Sequence, residues 1–113
     1  MVTLTTSWQS YASATWSGSQ GASLTFYLEA RYTSQNQQNN TTNVETRLRS
    51  DISGSLRGSG YEFTCTYCNT RSGTGIWTFE DEVIISGGNT VTHNTDGSKS
   101  ITLSATAKII IGI

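Results

Sequence analysis

The sequence predicts an all-β domain, an antiparallel β-sandwich of immunoglobulin-like or jelly-roll type with about seven strands. Apolar and polar residues alternate in several separate runs, which is typical of strands with one buried face. Gly- and Ser-rich turns separate these runs, and the 113 residues include no Pro. No run of useful length has the apolar spacing of a helix. We expect residues 1–113 to form one module around one core.

The first twenty residues are polar and are punctuated by aromatic side chains. Five residues of one parity predict a first strand at the periphery of the domain, or an arm, without defining its limits. These residues are Trp8, Ser10, Ala12, Ala14 and Trp16. Residues 17–21 are rich in Gly and Ser, which favours a turn before the next strand.

Two strands with regular alternation follow and predict a hairpin. Residues 24–32 place Leu24, Phe26, Leu28, Ala30 and Tyr32 on one face, and residues 42–50 place Val44, Thr46 and Leu48 inside. In a hairpin, Glu29 and Arg31 can face arginine and glutamate partners across the ladder. Such pairs contribute a few tenths to about 1 kcal/mol each, so they control register and do not by themselves indicate a site.

Three further segments continue the pattern. A Gly- and Ser-rich connection at residues 51–60 leads to a strand over residues 61–67, and a loop at residues 69–75 leads to a strand over residues 76–86. The shared face of the first strand carries Tyr61, Phe63, Cys65 and Tyr67. That of the second carries Trp77, Phe79, Val83 and Ile85, with Glu80 and Glu82 opposite.

The C-terminal segment has the longest alternation. An Asn-Thr-Asp-Gly turn at residues 94–97 follows a short β-rich run, and Asp96-Gly97 tolerates the positive φ of a tight hairpin. The strand after it is expected to bury Ile101, Leu103, Ala105, Ala107, Ile109, Ile111 and Ile113. The sequence therefore predicts a final hairpin that closes the sheet.

Charge and hydropathy exclude several functions. Seven Lys and Arg are scattered among eight Asp and Glu, which leaves no basic patch for nucleic acid and no polybasic membrane-binding segment. No apolar run approaches the roughly 18 residues of a membrane span. The start has neither the basic nor the apolar region of a signal peptide, so we expect the chain to fold in a cytoplasm.

Cys65-Thr-Tyr-Cys68 contains both cysteines of the chain. In a strand, residues three apart lie about 10 Å from each other and on opposite faces, too far for a disulfide unless the chain turns sharply. A zinc site needs four ligands, and His93 is the only other soft ligand. We expect structural thiols; a strand-end disulfide, or a metal or redox site, is the less favoured alternative.

Candidate catalytic residues are few. The single histidine, His93, would have to serve any Ser-His-Asp or Cys-His arrangement, but its place beside a turn favours a polar role there. Glu80 and Glu82 could form a carboxylate pair for glycoside hydrolysis, yet they fall on an exposed strand face at a spacing common to any strand. Asp96 with Asn94 offers too few carboxylates for tight calcium binding. The sequence predicts a protein that is not an enzyme, with no catalytic residues, metal or cofactor.

Three aromatic residues suggest a different kind of site. Tyr27 lies on the outward face of its strand, while Trp8 and Trp16 lie in a segment that need not be buried. Exposed aromatic rings can stack on sugars while nearby polar groups bind the hydroxyls. Ordinary packing or an intersubunit contact is the competing interpretation. The candidate ligand-binding residues are Trp8, Trp16 and Tyr27.

Two segments carry a family resemblance. Residues 23–50 read SLTFYLEARYTSQNQQNNTTNVETRLRS, and residues 90–107 read TVTHNTDGSKSITLSATA. They are similar to tail-associated structural proteins of tailed bacteriophages of Gram-positive hosts, in which SQN..NNTT.V and THN.DG.KS..L.A patterns recur in β-rich modules. The most specific element is residues 93–97, HNTDG, followed by Lys99. The two cysteines and the Trp-rich start lie outside the resemblance.

The resemblance implies a virion protein of the tail fibre, tip or baseplate, a β-sandwich module that acts in host attachment or as its scaffold. Its expected partners are other tail proteins or copies of itself, and host cell-surface polysaccharide. A carbohydrate-binding module that recognises cell-wall saccharide is the first alternative, and a glycoside hydrolase is a second. The apolar end KIIIGI suggests one module of a longer polypeptide, or a last strand that pairs with a neighbouring subunit.

Overall fold

The computed structural model describes residues 3–18 and 21–111, with the backbone alone for Ile111. This part of the chain contains seven strands and no helix, and therefore no helix that could span a membrane. The strands are β1 (Gln9–Ser17), β2 (Ser23–Asn36), β3 (Thr41–Ser53), β4 (Arg57–Cys65), β5 (Arg71–Thr78), β6 (Glu82–Thr92) and β7 (Ala105–Ile111). Two of the residues predicted to form a turn, 19 and 20, lie outside the described ranges.

The strands form two antiparallel sheets. The four-stranded sheet has the order β1-β2-β3-β6, and the three-stranded sheet has the order β5-β4-β7. The predicted all-β sandwich is confirmed. Its strand order differs from the constant-type immunoglobulin order, in which the first sheet pairs the first, second, fifth and fourth strands.

The core lies between the sheets and combines aliphatic residues of the four-stranded sheet with aromatic residues of the other. The Phe26 and Phe63 ring centroids lie 6.2 Å apart, and those of Phe63 and Trp77 lie 5.3 Å apart. Such tilted pairs are a favourable arrangement of aromatic rings. Phe26 is partly buried and packs against the buried cluster, whose members besides Phe63 and Trp77 are Leu24, Leu28, Leu48, Cys65, Phe79, Ile84 and Ile85.

The domain is elongated. Its extents are 55 × 25 × 17 Å and its radius of gyration is 16.3 Å, against about 13 Å for a compact domain of this length. The three-stranded sheet has one strand fewer and does not cover β1. As a result, Ala12, Ala14 and Trp16 of the edge strand β1 stay exposed although they pair in register with inward residues of β2.

The predicted hairpin of β2 and β3 is confirmed, including its charged pairs. Glu29 lies opposite Arg47, and Arg31 lies opposite Glu45. The predicted inward residues Val44, Thr46 and Leu48 of β3 are buried, and its outward residues Glu45, Arg47 and Arg49 are half-buried.

The single strand predicted over residues 76–86 is wrong. β5 ends at Thr78 in one sheet and β6 begins at Glu82 in the other, and the Ile52 N–H donates to Asp81 Oδ1 at 2.7 Å where the chain crosses. The register of β6 against β3 then skips Ile84. This β-bulge resets the alternation, so Ile84 and Ile85 are both buried while Val83 is 42% exposed.

The predicted final hairpin is also wrong. The turn at residues 94–97 forms, with Gly97 at φ 85° and its N–H donating to Asn94 O at 2.8 Å. However, β6 pairs with β3, while β7 pairs with β4 in the opposite sheet. β7 begins only at Ala105. The expected burial of this segment is wrong as well: Ala107 is exposed, and Ile101, Leu103, Ala105 and Ile109 are only half-buried. Ile113 and the side chain of Ile111 lie outside the described residues.

Candidate functional site

A groove of about 780 Å³ lies near the end of the sandwich where β2 turns into β3. We call it the end groove. Its walls come from residues 3–4, 97–101 and four strands or their ends, and include Tyr11, Tyr32, Gln35, Thr42, Asn94 and Leu103. Its volume falls within the range of small-molecule sites, about 300–1,000 Å³.

Buried hydrogen bonds hold the walls of the end groove together. His93 is 6% exposed, and its Nδ1 is hydrogen-bonded to Thr42 Oγ1 at 2.7 Å. The His93 backbone N–H donates to Asn40 O at 2.7 Å. On the other side, the Tyr32 N–H donates to Thr5 O at 2.9 Å and fastens the N-terminal segment across β2. His93 is therefore a structural anchor of this end of the domain.

The lining combines ring faces with polar groups. Tyr11 and Tyr32 supply aromatic surface, Gln35 and Asn94 supply amide donors and acceptors, and Lys99 supplies a cation. The Tyr11 hydroxyl donates to Gln9 Oε1 at 3.1 Å, and burial raises the pKa of Tyr11, which keeps the hydroxyl neutral. The arrangement suits a polar ligand with hydroxyl groups and ring faces.

The outward face of the four-stranded sheet carries a second feature, which we call the arginine face: Trp8, Tyr27, Glu29, Arg31, Glu45, Arg47 and Arg49. Glu29 is 7% exposed, and its Oε1 accepts from Arg47 Nε at 2.8 Å and from Arg49 Nε at 3.1 Å. Burial raises the pKa of Glu29, but hydrogen bonds and charge from the two arginines outweigh it and lower that pKa overall. The face is a network of paired charges.

The three candidate residues Trp8, Trp16 and Tyr27 are not gathered on one surface. The guanidinium carbons of Arg31 and Arg47 lie 4.5 and 4.1 Å from the centroid of the Trp8 ring, beside a depression of about 400 Å³. Arg49 lies over the Tyr27 ring at 4.4 Å. Trp16 lies on the opposite face of the sheet and is 42% exposed.

The two cysteines flank a tight turn and do not lie in one strand, which corrects the expected spacing. Cys65 ends β4, and the Cys68 N–H donates to Cys65 O at 3.0 Å across the turn. Both thiols are free, with Cys65 buried and Cys68 half-buried. In residues 3–18 and 21–111, no group of three His, Cys, Asp or Glu side chains could hold a metal ion.

The acidic pair considered for glycoside hydrolysis is placed differently from the expectation. Glu80 lies in the crossing between the sheets, where its backbone carbonyl accepts from Ser50 Oγ at 2.8 Å. Glu82 is the first residue of β6 and pairs with Ser50. The two carboxylates therefore do not share the face of one continuous strand, because the chain leaves the three-stranded sheet between Thr78 and Glu82.

No protein-family model matches the chain, and neither a curated protein nor a solved structure is significantly similar to it. The end groove was not predicted from the sequence. Alternation places Tyr32 on the inward face of β2 and gives no position for Tyr11. The turn at residues 94–97 is the one loop of its lining that the sequence predicts.

Proposed function

We propose that this chain is a non-enzymatic module of a bacteriophage tail fibre, tip or baseplate, which acts in host attachment or as its scaffold. One observation supports the proposal above the others: the two segments that carry the family resemblance meet at the end groove. Residues 23–50 contribute Tyr32, Gln35 and Thr42, while residues 90–107 contribute Asn94 and Lys99. The recurrent pattern thus coincides with the lining of the end groove.

The shape and chemistry of the domain also suit a binding role. An elongated sandwich presents its two ends far apart, so one end can contact a target while the strands connect to neighbouring modules. Buried bonds through His93 and Thr42 support the groove from beneath, which is what a preorganised binding site requires. The expected partners are other tail proteins or copies of the chain, and polysaccharide on the host surface.

Binding to purified cell walls of Gram-positive bacteria tests the attachment role. The wild-type domain should sediment with the walls. Gln35→Ala and Lys99→Ala should bind roughly tenfold more weakly, since each removes about one good polar contact. The matched control is Lys108→Ala, because Lys108 lies on β7, outside the groove lining, and is 75% exposed at its side chain.

Antibody labelling of phage particles encoded by the same genome tests the scaffold role. Antibodies against the chain should label the tail. A domain that neither binds cell walls nor occurs in tails would overturn the proposal. Equal wall binding by the wild type, Lys99→Ala and Gln35→Ala would instead exclude the end groove as the contact surface.

A carbohydrate-binding module is the second candidate function. Trp16 favours it because its exposed ring lies on the uncovered inner face of β1; Trp8 and Tyr27 would have to bind sugar with arginines over their rings. Titration of tryptophan fluorescence with cell-wall polysaccharide, in the wild type and in Trp16→Ala, Trp8→Ala and Tyr27→Ala, tests these three residues. Unchanged affinity in all three variants would exclude them as stacking platforms.

A further inference from the structure

The turn that joins β4 to β5, residues 65–68, is unusual in its backbone. We call it the cysteine turn. The Cys68 N–H donates to Cys65 O at 3.0 Å, and Tyr67 has φ 66°. A positive φ at the third position alone is the pattern of a type II turn, where glycine is the usual residue. A tyrosine is held there, so the surroundings determine the conformation.

The four-stranded sheet supports the cysteine turn through Thr46 and Gly87. Thr46 is fully buried, its Oγ1 donates to the Thr66 carbonyl, and the same oxygen lies 3.5 Å from Cys68 Sγ. Gly87 pairs with Thr46 in the β3–β6 ladder. A Cβ at Gly87 would lie 2.1 Å from the Tyr67 carbonyl oxygen and 2.9 Å from Cys68 Cα. Only glycine allows the turn to rest directly on the sheet.

The conformation of the cysteine turn brings the two thiols close together. The first and fourth Cα atoms of a β-turn lie within about 7 Å of each other, which overlaps the range of disulfide-bonded cysteines, about 4.4–6.8 Å. Cys65 belongs to the core cluster, and Cys68 packs against the same cluster. Cys65 is buried and Cys68 is half-buried, so a reagent from solvent meets Cys68 first.

We propose that Cys65 and Cys68 are a site of disulfide formation within the cysteine turn, with a small-molecule disulfide as the oxidant. The proposal does not depend on the proposed function. In the oxidised state a covalent bond closes the turn between β4 and β5. The contacts of the turn with Thr46 and Gly87 remain.

Thiol–disulfide exchange forms this bond in two balanced steps. The Cys68 thiol loses its proton, its thiolate attacks one sulfur of the reagent, and one reagent thiolate leaves. The Cys65 thiol then loses its proton and attacks Cys68 Sγ, which breaks the mixed disulfide and releases the second reagent thiolate. The protein loses two electrons and two protons, and one reagent disulfide becomes two thiols.

The two steps should differ in rate. Burial, with a further contribution from the Cys68 thiol, raises the pKa of Cys65 to about 12. Because the thiolate is the attacking species, ring closure by Cys65 should be slower than the attack by Cys68. It should also accelerate as the pH rises through the alkaline range.

Oxidised glutathione and mass spectrometry test the proposal. The folded domain is incubated with oxidised glutathione, remaining thiols are trapped with N-ethylmaleimide, and the products are measured intact and after digestion. We expect a transient glutathione adduct on Cys68, followed by loss of two hydrogen atoms, no maleimide adduct and a linked Cys65–Cys68 peptide. The adduct should convert faster at higher pH.

Two single variants act as matched controls. Cys65→Ser should keep a stable glutathione adduct on Cys68, whereas Cys68→Ser should react much more slowly because the remaining thiol is buried. Two maleimide adducts on the oxidant-treated wild type, or an oxidised product that is only an intermolecular dimer, would overturn the proposal. The wild-type peptide map decides the matter even if a variant fails to fold.

Discussion

The β2–β3 hairpin and the crossover from β6 to β7 (residues 93–104) both reverse the chain through an Asn-containing turn. In the first, Asn40 adopts φ 53° and the two flanking strands pair along their length. In the second, Gly97 adopts φ 85°, but the flanking strands enter opposite sheets. The turn permits a reversal in both places. What differs is whether the strands on either side can bury their apolar faces as neighbours.

We call the β2–β3 hairpin the frame of the domain and the crossover its connection. The hairpin is bonded along its ladder and braced by the ion pairs of the arginine face. The crossover is anchored at its start by the buried His93 and is exposed over residues 94–100. Beyond His93 it is held by local turn bonds and by hydrogen bonds between Thr66 and Ser104. The end groove lies between them. One wall is therefore bonded along its length and the other mainly at its two ends, an arrangement typical of binding sites on loops supported by a scaffold.

Hydrogen exchange should show the largest contrast between the two regions. Amides in the ladder of β2 and β3 should exchange only on global opening, at free energies of about 5–15 kcal/mol for a domain. Amides of residues 99–102 should exchange at opening free energies near zero because this stretch is largely exposed. Amide exchange measured residue by residue by NMR checks this. Equal protection in both regions would show that the crossover is part of the frame.

Two leucine substitutions should sharpen the contrast in stability. Leu48 of β3 is 2% exposed, so Leu48→Ala should lower the free energy of unfolding by about 2–5 kcal/mol through lost burial and a cavity. Leu103 of the crossover only packs against the edge of the core, so Leu103→Ala should cost about 1 kcal/mol. Urea denaturation measures both. A larger loss for Leu103→Ala would reverse the assignment of frame and connection.

A charge substitution within the hairpin should have a smaller effect. Glu29→Gln leaves Arg47 and Arg49 without their shared carboxylate and should cost about 2 kcal/mol. Glu45→Gln is the matched control, since Glu45 and Arg31 are 40% and 34% exposed at their side chains; it should cost less than about 1 kcal/mol.

The same carboxylate gives the hairpin a pH dependence. The pKa of Glu29 is lower in the folded domain than its ordinary value. Its contribution to stability is therefore complete at neutral pH and is lost as the pH falls through that lowered pKa. Urea midpoints measured down the acid range should fall less steeply for Glu29→Gln than for the wild type. Parallel profiles would exclude Glu29 as a source of acid sensitivity.

The hairpin could be predicted from the sequence because its information is local. Alternation assigns each side chain of β2 and β3 to a face, and the charges of Glu29, Arg31, Glu45 and Arg47 match once the two strands pair. The same reasoning failed after the hairpin. Residues 57–60 and 71–75, expected to lie in connections, belong to β4 and β5, and the strand expected over residues 76–86 divides between two sheets. Alternation says which face of a strand is buried, but it does not say to which sheet the strand belongs. Neither the crossing before β6 nor the bulge at Ile84 leaves a local signal.

The candidate sites follow the same division. The outward position of Tyr27 could be predicted from parity, whereas the arginines over Trp8 and Tyr27 could not, because they come from strands that meet only after folding. The end groove is harder still. Its walls come from the N-terminal segment with β1, both strands of the hairpin, β6 and the crossover, and no local pattern brings these segments together.

The smallest expected effect concerns the turn inside the crossover. Asp96 Oδ1 accepts from the Ser98 N–H at 3.0 Å and from Ser98 Oγ at 2.6 Å, and these bonds lower the pKa of the Asp96 carboxyl. Ser98→Ala removes the hydroxyl donor, so that pKa should rise toward its ordinary value, while the urea midpoint should stay unchanged because the turn is exposed. NMR titration of the Asp96 carboxyl carbon checks the shift, with Ser100→Ala as the control. If the urea midpoint fell together with the pKa shift, the crossover turn would belong to the frame, and the distinction between the two chain reversals would not hold.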